Sequence, residues 1–451
     1  MGEVRAPASD RVSSEESREL LAPHPRLGVP VPAYLGRSLP NLASTLAQLT
    51  APGGAEPAPL PPLVSEVDPF FGRRPERTVV VFLVDGLGWT ALHESAARHP
   101  GGVAARWLGR ARPLTTVFPT TTTVALTSLS TGAAPGQHGV VGHRVYLPRF
   151  DAVVELLRMS PLGVSAPETL VGPDWTPSVV SGVTSIFRRG VPAVAVSRDR
   201  YQGSGFTRLI YDGADFVAYA TPGDFGLALA EIIGRPHPPP VVFAYWDDLD
   251  VTEHLRGPLP ELVDFEVDRV ASLLEFVGRH LEPSIAARTT LLLTGDHGQV
   301  PMAPDHQLVA DRDTELLDLL ARPPSGDRRA TYFSARNGKR TALRNLLEAR
   351  RPPESHLLEM PEVVEAGLYG PPPFHPELPD RLGDFLLLMP SPGGVSYTVP
   401  GSRPRGHPMR GAHGGLEPAE LLVPLISGSF DEVAMVSSRP LHQGSTAGGR
   451  S

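Results

Sequence analysis

VVVFLVDGLG, residues 79–88, is a valine-rich apolar run that stops at one carboxylate, Asp85, followed by Gly86 and Gly88. About six consecutive apolar, β-branched residues read as a strand buried on both faces, and such strands belong to parallel sheets covered by helices. The expected fold is therefore α/β: a mostly parallel central sheet with helices on both faces and inserted cap segments. Where such a strand ends, glycines let the chain turn, and open α/β sheets bind ligands at that edge. Taken alone, Asp85 reads equally well as a turn residue or as a ligand.

Other strand ends repeat the arrangement. Val241 to Tyr245 is a second apolar run, and it leads to Asp250 and, four positions on, His254. On a helix those two side chains share a face, a spacing suited to one cation, although an isolated pair of this kind is commonly just solvated. A third strand, Thr289 to Thr294, ends in Gly295-Asp296-His297-Gly298. Adjacent Asp and His point apart in a regular strand, so both reach one ligand only where the chain turns, which the flanking glycines permit. His413 sits in a fourth place, the glycine-rich RGAHGG loop before the last apolar strand.

Between the first two strands lies FPTTTTVALTSLSTG. Pro119 breaks an extended segment, Thr120 to Thr123 follow, and Val124, Leu126 and Leu129 read as a helix ending near Thr131-Gly132. A threonine cluster thus stands at a helix N-terminus, where free N–H groups and the helix dipole favour an anion. One of the four can equally serve only as the N-cap.

The rest of the chain frames these stretches. Residues 1–30 are polar and proline-punctuated and are expected to be disordered. A short helix is predicted from Ser38 to Thr50, and a Pro/Gly/Ala linker leads from it to the first strand. One domain is expected over 31–437, with insertions at about 145–240 and 300–410 that shape access to the site, and a disordered tail over 438–451. Within the first insertion TPSVVSGVTSIFRRG reads as helical, VPAVAVS as a strand and Asp224 to Ile233 as a helix. Pro260 to Glu282 is amphipathic, with Val263, Val267, Val270, Leu274, Val277 and Leu281 on one side. The second insertion carries helices near Asp313 to Leu320 and Lys339 to Arg350, short strands and many Pro/Gly turns, and His375, Arg405 and His407 are its chemically notable residues.

Composition narrows the function classes. The chain of 451 residues is 41% hydrophobic and 20% charged, enough for a sizeable core. A net charge of −8 spread along the chain offers no electrostatic footprint for nucleic acid. Having no cysteine, the protein has no disulfide, no thiolate metal site and no cysteine-derived nucleophile. Any metal must be held by oxygen and imidazole. The first 28 residues lack an apolar signal core and no run of about 18 apolar residues occurs, so the expectation is a cytoplasmic protein without membrane attachment.

Asp85, Asp250, Asp296, His254, His297, His413 and one threonine hydroxyl come from separated stretches, all at strand ends or in glycine-rich loops. Three carboxylates and three imidazoles without sulfur suit two divalent ions, Zn²⁺ first and Mn²⁺ as a compatible alternative. Two such ions about 4 Å apart clamp the entering and leaving oxygens of an in-line phosphoryl displacement. An activated threonine then serves as nucleophile, giving hydrolysis in two steps through a phosphothreonine.

This set resembles the alkaline phosphatase superfamily, and most closely its type I phosphodiesterase/nucleotide pyrophosphatase branch. YWDDLDVTEHLRGP is similar to that branch's motif at Tyr245, Asp250, His254, Gly257 and Pro258, with Glu253 where a glycine is usual. TGDHG and GAHGG resemble its two remaining metal motifs, and the likeness spans about residues 75–430. The resemblance selects Thr122 as nucleophile, nine positions before Thr131, with Thr121 next and Thr116 a lesser candidate. It implies that Asp250, His254 and His413 hold one metal while Asp85, Thr122, Asp296 and His297 hold the other. Thr123 and Ala125 depart from it, standing where eukaryotic-type relatives carry a stacking Phe and an oxyanion-binding Asn. No arginine of the phosphomonoesterase kind occupies that place either. The implied activity is hydrolysis of a small-molecule phosphodiester or nucleotide pyrophosphate. A phosphomonoesterase or phosphonate hydrolase using the same site is the alternative, and a non-catalytic metal-binding or regulatory protein is the alternative of another class.

Overall fold

The computed structural model of the chain describes residues 15–50, 56–402 and 408–434. Its organising element is the strand Val79–Val84, buried at every position. This strand pairs in parallel with Val241–Trp246 on one side and Thr290–Thr294 on the other. Ala193–Arg198 and Asp215–Tyr219 continue the parallel run beyond Val241–Trp246. On the opposite flank, Leu422–Ser429 runs antiparallel between Thr290–Thr294 and Ala111–Thr115, completing seven strands.

Alternation along the central strand explains the helices on both faces. Val79, Val81 and Leu83 pack into one core with Leu42, Leu46, Val124 and Leu129. Val80, Phe82 and Val84 pack into the other with Leu92, Leu229, Val270 and Leu274. The first core is thus covered by helices Leu39–Thr50 and Thr122–Thr131, the second by Trp89–Arg98, Pro222–Gly234 and Pro260–Arg279. Burying alternate residues on opposite faces requires this layering, because side chains of a strand project with period two.

The insertions do more than loop over the edge. They build a second seven-stranded sheet, in the order His356–Glu359, Phe385–Leu388, Ala330–Phe333, Ser325–Gly326, Arg144–Leu147, Ala152–Glu155, Ser160–Pro161. Gly326 pairs with Arg144, so strands from two distant parts of the chain are stitched together. Short strands interrupted by Pro and Gly leave little periodicity, so the short strands expected in the second insertion give no sign of the sheet they join.

Two sequence expectations are corrected. TPSVVSGVTSIFRRG holds one short 3-10 turn, Pro177–Val179, rather than a helix. The Ser181 hydroxyl donates to Val183 O at 2.8 Å, and the Ser185 hydroxyl accepts from Arg188 N–H at 3.1 Å, so serines compete with helical backbone bonding. Residues 15–30 are ordered rather than disordered: Glu15–Leu20 is a helix, and Leu20, Leu27 and Val29 enter the two cores. A few apolar residues suffice because the sheet supplies a surface to bury them on. Residues 1–14 and the tail expected over 438–451 lie outside the described residues, as do Arg405 and His407. No helix among the described residues is long and apolar enough to cross a membrane.

Candidate active site

Three neighbouring strands deliver the acidic residues. Asp85 follows Val79–Val84, Asp296 follows Thr290–Thr294, and Asp250 lies in the helix Asp248–Arg256 that follows Val241–Trp246. Parallel pairing places these ends side by side. The turn after Asp85 uses Gly86 at φ +85, where only glycine is unstrained. The Gly86 N–H donates to Asp296 Oδ1 at 3.2 Å, tying the first strand end to the third.

One cluster consists of Asp85, Asp296 and His297, all fully or nearly fully buried. His297 Nε2 lies 3.5 Å from Asp85 Oδ1, 3.4 Å from Asp296 Oδ2 and 3.1 Å from Thr122 Oγ1. Tyr245 OH donates to Asp85 Oδ2 from the neighbouring strand. The second cluster is Asp250, His254 and His413. His254 Nε2 lies 3.3 Å from Asp250 Oδ1 and 3.2 Å from His413 Nε2. The rings of His297 and His413 stack with centroids 3.8 Å apart, bringing the two clusters together.

Backbone carbonyls orient the imidazoles. His254 Nδ1 is 2.9 Å from Gly411 O, His413 Nδ1 is 2.9 Å from Thr120 O, and His297 Nδ1 is 3.2 Å from Gly298 O. Each carbonyl can accept only from Nδ1–H, so each ring presents its Nε2 lone pair to the cluster.

Among the threonines, the hydroxyls have separate tasks. Thr122 is the first residue of helix Thr122–Thr131, whose C-cap Gly132 is left-handed at φ 63. Thr121 stands at the N-cap, yet its side chain makes no capping bond; its hydroxyl instead bonds Asp327. Thr116 donates to Asp296 O, Thr120 to Gly415 O, and Thr123 to Gly142 O. Only Thr122 of this set has its hydroxyl on a cluster imidazole.

The electrostatics are those of an unneutralised set. Burial holds Asp85 well above the usual carboxylate range, and Asp296 and Asp250 push it further. Asp250 and Asp296 are likewise raised by burial, offset in part by His254 and His297 respectively. Burial pulls His413 far down, with His297 and His254 adding to it. Asp85 Oδ1 and Asp296 Oδ2 are buried without a hydrogen-bond partner. At an effective dielectric of about 20, two like charges about 4 Å apart repel by about 4 kcal/mol. Buried carboxylates with orphaned oxygens facing presented imidazole nitrogens fit divalent cations, which would satisfy both at once.

A cavity of about 530 Å³ opens onto this set. Asp85, Thr122, Asp250, His254 and His413 line it, while Asp296 and His297 lie behind with no exposed surface. Several other side chains adjoin the set, and of these only Glu253 stood out in the sequence. Gln299 donates to the Asp250 carboxylate and, at 3.2 Å, to its carbonyl. Glu253, in place of the usual glycine, is buried with Oε2 unpartnered, and burial, Asp250 and Glu266 raise it well above the ordinary range. His143, Arg144, Asp327 and Arg328 reach the cavity from the second sheet. DRR after a Pro/Gly turn carries no periodic signal, so only tertiary pairing could place it. His375 is elsewhere, packed by Gly139 and Gly182, with its Nδ1 accepting from Glu377 N–H at 3.1 Å.

The profile of the type I phosphodiesterase/nucleotide pyrophosphatase family matches residues 79–416, three quarters of the chain. The chain belongs to that family. Phosphoric ester hydrolysis, of the phosphodiesterase/nucleotide pyrophosphatase kind, is accordingly its class of activity. No curated protein matches the sequence. Among solved structures, murine ectonucleotide pyrophosphatase/phosphodiesterase 5 superposes with a TM-score of 0.57 at 17% identity, covering 81% of this chain and 96% of that one. An inactive form of the murine protein in complex with AMP gives a TM-score of 0.56 at 16% identity, with the same coverage of both chains. Phosphonoacetate hydrolase from Sinorhizobium meliloti 1021, in complex with phosphonoacetate, gives 0.55 at 17% identity, again covering 81% and 96%. At these identities the likeness is one of fold, and it places this member on the same α/β scaffold.

Proposed function

We propose that the protein hydrolyses a small phosphodiester or nucleotide pyrophosphate with Thr122 as nucleophile and two divalent metals, Zn²⁺ by preference. Asp250, His254 and His413 would hold one ion, and Asp85, Asp296 and His297 with the Thr122 oxygen the other. The observation that carries this reading is a hydroxyl on one cluster where the other adjoins it: Thr122 Oγ1 lies 3.1 Å from His297 Nε2, whose ring stacks on His413 at 3.8 Å. Oxygen and imidazole donors without sulfur suit zinc, with manganese compatible.

When bound, the metals supply charge neutralisation and lower the pKa of a hydroxyl or water beside them. The chain's own residues do the rest. Thr122 Oγ1, at the first turn of its helix, bonds phosphorus as the bond from phosphorus to the leaving oxygen breaks, and the hydroxyl proton ends on that leaving oxygen by way of solvent. The helix dipole favours the phosphoryl charge at that turn. Tyr245 and the backbone N–H of Gly86 fix the Asp85 and Asp296 carboxylates, and the carbonyls of Gly411 and Thr120 fix His254 and His413. Water then attacks phosphorus, the bond to Thr122 breaks, and the hydroxyl is restored.

One observation favours a second reading within the same chemistry, phosphonate hydrolysis. Thr123 is fully buried with its hydroxyl turned to Gly142 O at 3.0 Å, and Ala125 is buried in the core, so neither offers a base-stacking ring nor an oxyanion amide. Steady-state rates on bis(p-nitrophenyl) phosphate, p-nitrophenyl phosphate and phosphonoacetate, each with zinc and with manganese, separate the readings. The diester should be turned over at least ten times faster than the monoester; a reversed preference overturns the first reading.

A further inference from the structure

Three consecutive charged residues, Asp327, Arg328 and Arg329, form the turn between strands Ser325–Gly326 and Ala330–Phe333 of the second sheet. Their fates differ. Arg329 is buried in a fork with Glu420 and Glu417, at 2.7 Å to each. Asp327 accepts from His143 N–H at 3.2 Å. Arg328 lines the active-site cavity, and among the described residues its guanidinium meets no carboxylate and no other acceptor, although the residue is half-buried.

The neighbourhood makes that guanidinium conspicuous. The pairing of Gly326 with Arg144 brings a second guanidinium to the same wall. Arg144 is already engaged: Nη1 donates to Tyr397 O at 3.2 Å and Nη2 lies 3.5 Å from Glu155 Oε1. Burial lowers Arg328, and repulsion from Arg144 adds to it. Both arginines also act on His143, which in turn feels His254 of the metal-type cluster. Arg144 and Arg328 line the same cavity as Thr122 and His254.

Holding an unpaired cation partly out of water beside a like charge costs free energy. A planar guanidinium with free donors matches carboxylate and phosphate oxygens two at a time. We propose that Arg328 binds a second anionic group of the substrate, beyond the scissile phosphoryl, so that the substrates are phosphoesters, pyrophosphates or phosphonates carrying a further oxyanion. This rests on the active-site reading above. The shared chemistry is a two-oxygen anion, either a carboxylate or a second phosphate.

The test compares kcat/KM of wild type, Arg328→Gln and Arg328→Lys on phosphonoacetate, on a dinucleotide pyrophosphate and on bis(p-nitrophenyl) phosphate, which has no second anion. Arg328→Gln should lose at least ten-fold more on one or both anion-bearing substrates than on the diester, mainly through KM, with Lys recovering part of it. Which substrate shows the excess loss identifies the anion as carboxylate or phosphate. Calorimetry on zinc-loaded Thr122→Ala protein, with and without Arg328→Gln, reads binding of phosphonoacetate and inorganic pyrophosphate without turnover. At least a ten-fold weakening of one of them is expected. Equal losses on all three substrates, or unchanged binding of both probes, overturn the proposal. If wild type hydrolyses no phosphoester, the active-site reading falls and calorimetry still decides this one. Melting curves matching wild type show that the variants fold.

Discussion

As the proposed nucleophile, Thr122 is set apart by position rather than by its own chemistry, since its neighbours Thr116, Thr120, Thr121 and Thr123 carry the same hydroxyl turned to other partners. Thr122→Ala should lower kcat by at least about a thousand-fold while bound metal, read by elemental analysis, stays near wild type. Thr122→Ser should keep measurable turnover, and near-wild-type activity in the alanine variant would move the nucleophile elsewhere. Asp250→Ala should behave oppositely. It removes the carboxylate that faces both His254 and His413, so about one metal per chain should be lost. Asp327 gives a pH signature. Burial raises it to about 7 from 3.8, offset by bonds from His143 N–H and Thr121. Between those values the folded chain holds a proton that the unfolded chain has released, so stability falls as pH rises through that window. In chelator-treated protein, Asp327→Asn should therefore melt higher than wild type at about pH 8, with the gain shrinking toward pH 4. A gain that does not change with pH would exclude this cause.

At the scale of elements, the site depends on backbone packing as closely as its side chains do. Gly298 follows His297, and a Cβ there would meet Ala419 O at 2.0 Å and Gly88 Cα at 2.8 Å. The turns after the first and third strands and the segment before the last strand therefore close on one another with no room for a methyl group. Gly298→Ala should cost about 1–3 kcal/mol in urea unfolding. Activity should fall with it, because the same turn carries Asp296 and His297. A variant with wild-type stability would mean that the segment at Ala419 yields. Helix Thr122–Thr131 was readable from its Pro119 break, leucine spacing and terminal glycine, since all three signals are local. TPSVVSGVTSIFRRG was misread because its apolar spacing resembles a helix, while its serines bond nearby backbone in the folded loop.

For the whole molecule, metal removal is the decisive perturbation. On top of burial, Asp250 and Asp296 raise Asp85, and Asp250 raises Asp296, across the two buried clusters; with divalent cations held there as proposed, chelation should lower the melting temperature and added zinc should restore it. A ligand at about one hundred times its Kd stabilises by about 2.7 kcal/mol per site. A melting temperature indifferent to chelator and zinc would argue against metal centres here. The clusters also tie together the sheet that carries the carboxylates and the loop that carries His413, so restored stability and restored activity should appear over the same zinc range.

The sequence by itself determined the central layer and the chemistry waiting at its edge. VVVFLVDGLG, the run ending near Tyr245 and the run ending in Gly295-Asp296-His297-Gly298 are strands whose apolar continuity demands burial on both faces, and their terminal residues declare an oxygen-and-imidazole site. Such signals are local, so the chain displays them without being folded. Only the tertiary structure decided which residues complete the site. Gln299 on Asp250 and the Thr120 carbonyl on His413 are contacts across 49 and 293 positions of chain, and Arg144 and Arg328, 184 positions apart, share the cavity wall through the pairing of Gly326 with Arg144. The second sheet that sets Arg328 there is assembled from short strands of two insertions, held by backbone pairing that leaves no pattern in side-chain order. Asp85 is where both kinds of information meet: its strand is written in the sequence, and its company is set by the fold.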